Sequence, residues 1–318
     1  MSTYGLSRML VRTILILIVI ALCGCAGSQQ NVKWANKFNR SSSAADISAH
    51  GVPAVPETFL GEMTSEELER SGDILFRRGD FCLAYVKYEK ALQLNPESTR
   101  ILYKKGLLLM NGGANEDAIQ VFESILSSDP DNSGAYLCMG QACFQMKKFR
   151  EAKENLQRAL ILDPGLWKAH SLMGIVYDCV GQHDSAISEY AAALRMKPDK
   201  GYIYNNLGIS SALTGQYETA LDAFNKALEV GCRDIQKIYN NKGLVLAKMG
   251  RYSEALQAFR KGGSETQAYN NLGCVYLEQN KWEKAVETFE CAMHVNPKFD
   301  AGIHQNLKKA RMHVVKQN

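Results

Sequence analysis

The sequence predicts an all-α fold, a solenoid of about seven helix-turn-helix repeats followed by a C-terminal capping helix. Three observations predict it. A glycine recurs at a nearly constant spacing, an alanine follows each glycine by twelve residues, and a large apolar residue follows each alanine by four. The composition, 46% hydrophobic and 22% charged, is that of a chain that folds over most of its length.

The first 24 residues predict a lipoprotein signal peptide for export. Arg8 and Arg12 precede an apolar run from Thr13 to Leu22, and no acidic residue occurs in the first twelve positions. A basic start, a short apolar core and small residues at its end are typical of a secretory signal. The apolar run is also shorter than the ~20 residues that a membrane-spanning helix requires.

The end of this run, Leu22-Cys23-Gly24-Cys25, resembles the lipobox of bacterial lipoproteins. The resemblance implies that Cys25 becomes the first mature residue and carries diacylglycerol and fatty acids such as palmitate. Cys23 departs from the small or hydroxyl residue usual at its position, although cysteine is small enough to fit. Ala26 favours the outer membrane, on its periplasmic face, in an organism with two membranes. The alternative is an uncleaved signal anchor in which Cys25 is an ordinary residue.

Residues 25–60 predict a flexible linker attached to the lipid anchor. They are rich in Ser, Ala, Gly and Asn, have no apolar periodicity, and contain Pro53 and Pro56 near their end. A flexible chain of this length spans roughly 30–35 Å, so the folded part can move away from the bilayer.

Residues 65–299 predict seven repeats, each formed by a helix A and a helix B. The repeated glycines are Gly72, Gly106, Gly140, Gly174, Gly208, Gly243 and Gly273. The alanines are Ala84, Ala118, Ala152, Ala186, Ala220, Ala255 and Ala285, and the large residues are Tyr88, Phe122, Leu156, Tyr190, Phe224, Phe259 and Phe289. Small residues on facing surfaces let two helices approach closely, and the large residue fills the space beside them. One pair of helices cannot bury its own apolar face, so neighbouring repeats must stack.

These spacings resemble those of the tetratricopeptide repeat family, which implies a right-handed superhelix with a concave groove. Prolines close most units, at Pro96, Pro130, Pro164, Pro198 and Pro297. Repeat 5 has Cys232 where proline is expected, and repeat 6 is short, lacks the proline and ends in Gly262-Gly263. We expect a local change of superhelical pitch there; a tolerated loop difference is the alternative.

Residues 300–318 predict the capping helix and a short tail. Ile303, Leu307, Ala310 and Val314 form an apolar stripe at helical spacing. The end of a solenoid needs such a helix with a polar outer face.

Positions 2, 6, 9 and 13 of each helix A, counted with the repeated glycine as position 8, share one helix face. The resemblance implies that this face lines the groove. At its N-terminal end we expect a basic binding surface formed by Arg70, Arg77, Arg100 and Lys104. The middle of the face turns apolar. The alternative for the basic residues is an ordinary solvated surface.

Paired asparagines predict an amide-lined C-terminal end of the groove. The motif Tyr-Asn-Asn-Leu-Gly or Tyr-Asn-Asn-Lys-Gly occurs three times and contains Asn205, Asn206, Asn240, Asn241, Asn270 and Asn271. Carboxamides can pair with the N–H and C=O groups of an extended peptide without demanding a particular sequence. The alternative is that these asparagines follow the family pattern and only solvate the groove.

No pattern of catalytic or metal-binding residues appears in the sequence. None of the six histidines has a metal-ligand spacing, no phosphate-binding glycine loop occurs, and no two cysteines have the Cys-x-x-Cys spacing. We therefore expect no enzymatic activity, no cofactor and no metal. We expect the seven cysteines after Cys25 to be free and to act as small hydrophobes.

The charge balance argues against a nucleic-acid partner. The formal net charge is +4, and the loss of Arg8 and Arg12 with the signal leaves 35 basic and 33 acidic residues. A nucleic-acid interface requires a concentrated basic face.

The combination of lipobox, linker and repeat array resembles envelope lipoproteins that support pilus and secretin assembly. The repeated Asn-Asn-Leu-Gly motif with a shortened unit is most similar to the TadD family, with the PilF type next. This implies a non-enzymatic protein-binding scaffold that helps a pilus or secretion complex to assemble or localise. Alternatives are an adaptor for murein hydrolases, like the NlpI type, and a component of polysaccharide synthesis or export.

Overall fold

The computed structural model describes residues 63–296 and 300–317, and these residues form fifteen α-helices and no β-strand. The all-α prediction is confirmed. The predicted signal peptide, Cys25 and the linker lie outside the described residues, as do residues 297–299 and 318. Within the described part of the chain, no helix combines the length and apolar character that a membrane span requires.

The helices divide between two compact units, Met1–Val180 and Gly181–Asn318. The first unit contains α1 Ser65–Arg78, α2 Phe81–Leu94, α3 Thr99–Asn111, α4 Asn115–Ser128, α5 Ser133–Gln145, α6 Phe149–Leu162 and α7 Trp167–Cys179. The second contains α8 His183–Met196, α9 Gly201–Leu213, α10 Tyr217–Glu229, α11 Ile235–Lys248, α12 Tyr252–Gly262, α13 Glu265–Glu278, α14 Trp282–Val295 and α15 Ala301–Gln317. Odd-numbered helices from α1 to α13 are the A helices of the seven repeats, and even-numbered ones are the B helices.

The repeated glycines mark the places where helix A meets the large side chain of helix B. A Cβ atom placed on Gly208 would lie 2.6 Å from Cε1 of Phe224, and one on Gly243 would lie 2.5 Å from Cε1 of Phe259. Real Cβ contacts are longer than this, so any larger residue would displace the ring. The sequence prediction that glycine permits close helix approach is confirmed at these positions.

The seven repeated alanines are all fully buried, with no exposed surface. Four of the large side chains that follow them, including Phe224, are also completely covered. Packing of this density makes each position sensitive to both smaller and larger residues.

Helix B ends two residues before proline in the repeats that have one. At Asn95, Asp129, Asp163 and Lys197 the backbone leaves the helical region, with φ between −136° and −142°. Proline disfavours the helical conformation in the residue before it, so these prolines fix the helix ends.

The two departures from the repeat pattern end their B helices differently. After α10 the chain turns at Gly231, whose φ of 80° is unfavourable for other residues. Helix α12 has eleven residues, and only Gly263 and Ser264 separate it from α13. Ser264 accepts a hydrogen bond from the Gln267 backbone N–H and forms a capping box that starts α13 directly.

Helix α15 follows repeat 7 and packs on it through one face. Ile303, Leu307 and Ala310 are buried, and Val314 is half-buried. On α14 the Trp282 ring stacks on the His313 ring with their centroids 4.1 Å apart. Arg311 also donates to Glu290 on the same neighbouring helix at 2.7 Å.

Candidate partner-binding surface

The A helices of the first unit carry an ion-pair cluster between repeats 1 and 2. Glu69 on α1 is buried, and it accepts hydrogen bonds from Arg100 Nη2 at 2.6 Å and from Lys104 Nζ at 2.7 Å, both on α3. Lys104 Nζ also donates to Asp73 Oδ2 at 2.6 Å, and Tyr88 Oη donates to the other Asp73 oxygen at 2.8 Å. Glu69 and Asp73 on α1 thus pair with Arg100 and Lys104 on α3, the A helix of the following repeat.

This cluster changes the expected character of the N-terminal end of the surface. Arg100 and Lys104 neutralise Glu69 and Asp73 instead of presenting unpaired charge. Arg70 and Arg77 remain exposed, and Arg70 Nη2 lies 3.8 Å from Glu66 Oε2 in an exposed pair. An exposed pair of this kind contributes ~0–1 kcal/mol. The four basic residues are therefore two structural partners of buried acids and two solvated arginines.

The A helices of the second unit carry carboxamides that bond from one repeat to the next, which we call the amide row. In repeats 6 and 7 the position-6 asparagine donates to the position-5 asparagine of the repeat before it. Asn241 Nδ2 donates to Asn205 Oδ1 at 3.2 Å, and Asn271 Nδ2 donates to Asn240 Oδ1 at 3.5 Å. The row consists of Asn205, Asn206, Asn240, Asn241, Asn270, Asn271 and Asn306.

The capping helix extends this row, which sequence reasoning missed. Asn306 Nδ2 on α15 donates to Asn270 Oδ1 at 3.4 Å and lies 3.5 Å from Cys274 Sγ. Asn306 is 36 residues after Asn270, the same separation that joins Asn241 to Asn205. That spacing was visible in the sequence, but Asn306 lacks the Tyr-Asn-Asn motif that marks the other repeats.

The amide row keeps unused hydrogen-bonding capacity. A carboxamide offers two N–H donors and an oxygen with two lone pairs, and the inter-repeat bonds use only part of this. Asn205 is buried, whereas Asn206, Asn240, Asn241, Asn270, Asn271 and Asn306 are all partly exposed. The asparagines predicted from the sequence therefore lie together on one surface, where they join the A helices and still face solvent.

A glycine in repeat 6 makes room for one member of this row. A Cβ atom on Gly262 would lie 2.5 Å from Asn240 Oδ1 and 2.9 Å from the backbone oxygen of Gln236. Repeats 1 to 5 have Ala or Ile at the corresponding position, and repeat 7 has Ala292. The glycine at the end of the shortened α12 is thus required by the close approach of α11.

An acidic residue lies beside the row at the C-terminal end of α13. Glu278 on α13 is exposed, yet the surrounding protein raises the pKa of its carboxyl by desolvation. Lys248 and Lys309, on the neighbouring A helix and on α15, lower that pKa to a smaller extent.

The cysteines of the described residues are free thiols that differ in burial. Desolvation raises the pKa of Cys274 to about 11, so its thiolate is disfavoured at neutral pH. Cys138 is buried and donates to Tyr103 Oη at 3.1 Å, whereas Cys82 and Cys291 are exposed. Among the described residues, no group of three His, Cys, Asp or Glu side chains is placed to hold a metal ion.

Repeated pairs of α-helices define the class of helical-repeat proteins. Family models described as tetratricopeptide repeat match residues 75–137, 109–174, 172–234, 214–268 and 266–299. Because these matches together cover well over half of the chain, it belongs to the tetratricopeptide repeat family. The fold of this family is that of a protein–protein interaction scaffold.

Known proteins share the repeats over part of their length. The BBSome complex member BBS4 of Bos taurus is 27% identical over 193 residues, which are 50% of this chain and 37% of that protein. Superkiller complex protein 3 of Mus musculus is 22% identical over 221 residues, 66% of this chain and 14% of that protein. The chain thus spans well under half of each of these relatives.

A solved tetratricopeptide repeat protein from Parabacteroides merdae ATCC 43184 shows the same fold. It has a TM-score of 0.53 and 19% identity, with 78% of this chain and 98% of that one covered. At this level of identity the similarity concerns the fold alone.

Proposed function

We propose that the protein is a non-enzymatic scaffold of the bacterial cell envelope that binds partner proteins through the amide row. In this proposal a lipid on Cys25 holds it at the outer membrane, and it helps a pilus or secretion complex to assemble or localise. The amide row is the observation that carries the binding part of the proposal.

The chemistry of the row favours an extended segment of a protein as the ligand. Its groups are neutral and include both donors and acceptors, which matches the alternating N–H and C=O groups of a peptide backbone. Half-buried apolar side chains of the same helix face accompany it, Leu213 at position 13 of repeat 5 and Leu244 at position 9 of repeat 6. Backbone pairing would supply affinity, and contacts with these side chains would supply selectivity.

The envelope part of the proposal is supported by the sequence. The Leu22-Cys23-Gly24-Cys25 resemblance gives the anchor, and the Asn-Asn-Leu-Gly repeats give the resemblance to pilus-assembly lipoproteins. The two curated relatives are named as members of complexes, which agrees with a scaffold role by analogy of fold.

The binding site is tested by photo-crosslinking in cells from position 241, followed by mass spectrometry of the membrane fraction. We expect capture of a secretin or pilus component, because Asn241 is a partly exposed centre of the row. A crosslinker at Lys226, an exposed residue of helix B in repeat 5, is the matched control and should not capture that protein.

Addition of Asn206→Ala and Asn271→Ala should remove the crosslinked product without unfolding the chain. Equal capture from positions 241 and 226 would place the binding site elsewhere. Capture of a murein hydrolase or a polysaccharide-synthesis enzyme would retain the scaffold and replace the pilus client.

The anchor is tested by Cys25→Ser. Without the thiol no thioether to diacylglycerol can form, so we expect loss of labelling by radioactive palmitate and release from the outer-membrane fraction. Cys23→Ser is the matched control, because the lipobox resemblance accepts a small hydroxyl residue there, and it should leave both readouts unchanged. Persistent labelling of the Cys25→Ser protein would remove the lipoprotein assignment.

A further inference from the structure

Lys242 interrupts the repeat pattern on the side of α11 that faces the B helices. The three Tyr-Asn-Asn motifs continue with Leu207, Lys242 and Leu272, so repeat 6 has a cation where its neighbours have an apolar residue. Leu272 lines an open pocket of about 280 Å³ between α13 and α14, which shows that this position adjoins solvent-accessible space in repeat 7. An ammonium group at this position needs a compensating partner when it is partly buried.

The protein supplies only a neutral partner to this ammonium group. Lys242 is half-buried, and its Nζ donates to Asn225 Oδ1 on α10 at 2.6 Å. Among the described residues, no carboxylate lies within ion-pair distance of Lys242. A half-buried cation bonded to an amide oxygen retains most of its positive charge toward its surroundings.

Other cations increase the positive potential around Lys242. Desolvation lowers the pKa of Lys242, and the charges of Lys261 and Arg251 lower it further. Lys261 is exposed on α12, and its Nζ lies 5.6 Å from the centre of the Tyr239 ring. Tyr239 precedes Lys242 by about one turn of α11.

The nearby acidic groups are occupied by Arg251. Its guanidinium makes two hydrogen bonds of 2.7 Å to the Glu254 carboxylate, and Glu218 also acts on it. Glu254 therefore compensates Lys242 only in part. Among the residues that the structure describes, Lys242 and Lys261 thus form no ion pair of their own, and Lys261 lies over the ring of Tyr239.

We propose that Lys242, Lys261 and Tyr239 form a second binding site, which takes the carboxylates of an acidic segment of a partner protein. Charge complementarity selects an anion, and the repeat fold is a scaffold for proteins, so the anion is assigned to Asp or Glu side chains. The lysines supply point charges and the tyrosine ring supplies apolar contact for the side-chain stem. The site is formed by α10, α11 and α12 and does not use the amide row.

The test measures binding of fluorescein-labelled hexaglutamate to the full-length chain in detergent at low ionic strength. We expect Lys242→Leu to weaken binding at least tenfold, and Lys261→Leu to weaken it by several fold. The leucine variant has the residue of the neighbouring repeats, so it should keep the fold, which thermal unfolding verifies. Lys242→Gln provides a second, polar variant with the same expected loss.

The matched control is Lys237→Leu, which removes the same charge from the same helix. Lys237 is exposed and already pairs with Asp234 at 2.9 Å, so we expect less than a twofold change. Equal weakening by Lys237→Leu and Lys242→Leu would mean attraction by net charge alone and would overturn the site. Inorganic phosphate that binds more tightly than the peptide, and loses this binding in Lys242→Leu, would overturn the acidic segment in favour of free phosphate.

This experiment is independent of the one on the amide row. Crosslinking from Asn241 reports on the row alone, and hexaglutamate binding reports on Lys242 and Lys261. Either result can fail without the other.

Discussion

Replacement of Phe224 by alanine is expected to lower the free energy of unfolding of the second unit by about 3–5 kcal/mol. The ring is completely buried and fills the space beside Gly208, so its removal exposes apolar surface and leaves a cavity that rigid helices cannot close. Urea denaturation followed by circular dichroism measures the change. Tyr202→Ala is the matched control, because 44% of that side chain is exposed, and it should cost less than about 1 kcal/mol.

Gly208 lies against the Phe224 ring, and its replacement provides a second test of this packing. Gly208→Ala alone should destabilise by about 1–3 kcal/mol, because the new Cβ would lie 2.6 Å from the ring. In the Phe224→Ala background the same change should stabilise by up to about 1 kcal/mol, because alanine is the better helix former. A cost for Gly208→Ala that is equal in both backgrounds would show that the ring is not what excludes a side chain at this position.

The repeat architecture could be predicted from the sequence because close packing of helices requires residues of a particular size at fixed positions. Gly208 and Ala220 are small and Phe224 is large, and the separations between these three positions are the same in every repeat. The helix ends were equally readable where proline closes a repeat, since proline restricts the residue before it. The end of α10 was not, because Gly231 takes over that role through its left-handed backbone.

The partners of the polar surface residues could not be predicted, because the sequence does not state which groups from different repeats meet. Asn241 and Asn205 are 36 residues apart. The motif alone does not distinguish amides that pair with each other from amides whose groups can bind a ligand. The structure shows that they pair across repeats, and these bonds use only part of their hydrogen-bonding capacity. Asn306 was missed for the same reason, since a capping helix lacks the rest of the repeat motif.

The basic residues at the N-terminal end of the predicted groove also have partners that could not be predicted. Arg100 and Lys104 suggested part of a basic binding surface when α3 was considered alone. Their partners, Glu69 and Asp73, lie 31 residues earlier on α1, and Glu69 is buried by the contact. The cation to which we assign an acidic ligand is instead Lys242, which the sequence marks only as a lysine in place of leucine.

Lys104→Met is expected to lower the free energy of unfolding of the first unit by about 2–3 kcal/mol. Breaking a fully buried ion pair costs ~3–5 kcal/mol, and the cost is smaller here because Arg100 still pairs with Glu69 and Lys104 is partly exposed. Methionine keeps most of the aliphatic volume, so the change reports mainly on the charge. Arg70→Met removes an exposed arginine from the same surface and should cost less than about 1 kcal/mol, because its pair with Glu66 is solvated.

The pH dependence separates the charge of Lys104 from its packing. Burial lowers the pKa of Lys104, but hydrogen bonds with Asp73 and Glu69 outweigh this and raise it above its ordinary value. A raised lysine pKa in the folded state adds stability that is complete below the unfolded pKa of about 10.4 and is lost as the pH rises through the folded value. The difference in stability between the wild type and Lys104→Met should therefore be constant at neutral pH and shrink in strongly alkaline solution. A difference that stays the same across this range would assign the effect to packing and leave the ion pair without a measurable contribution.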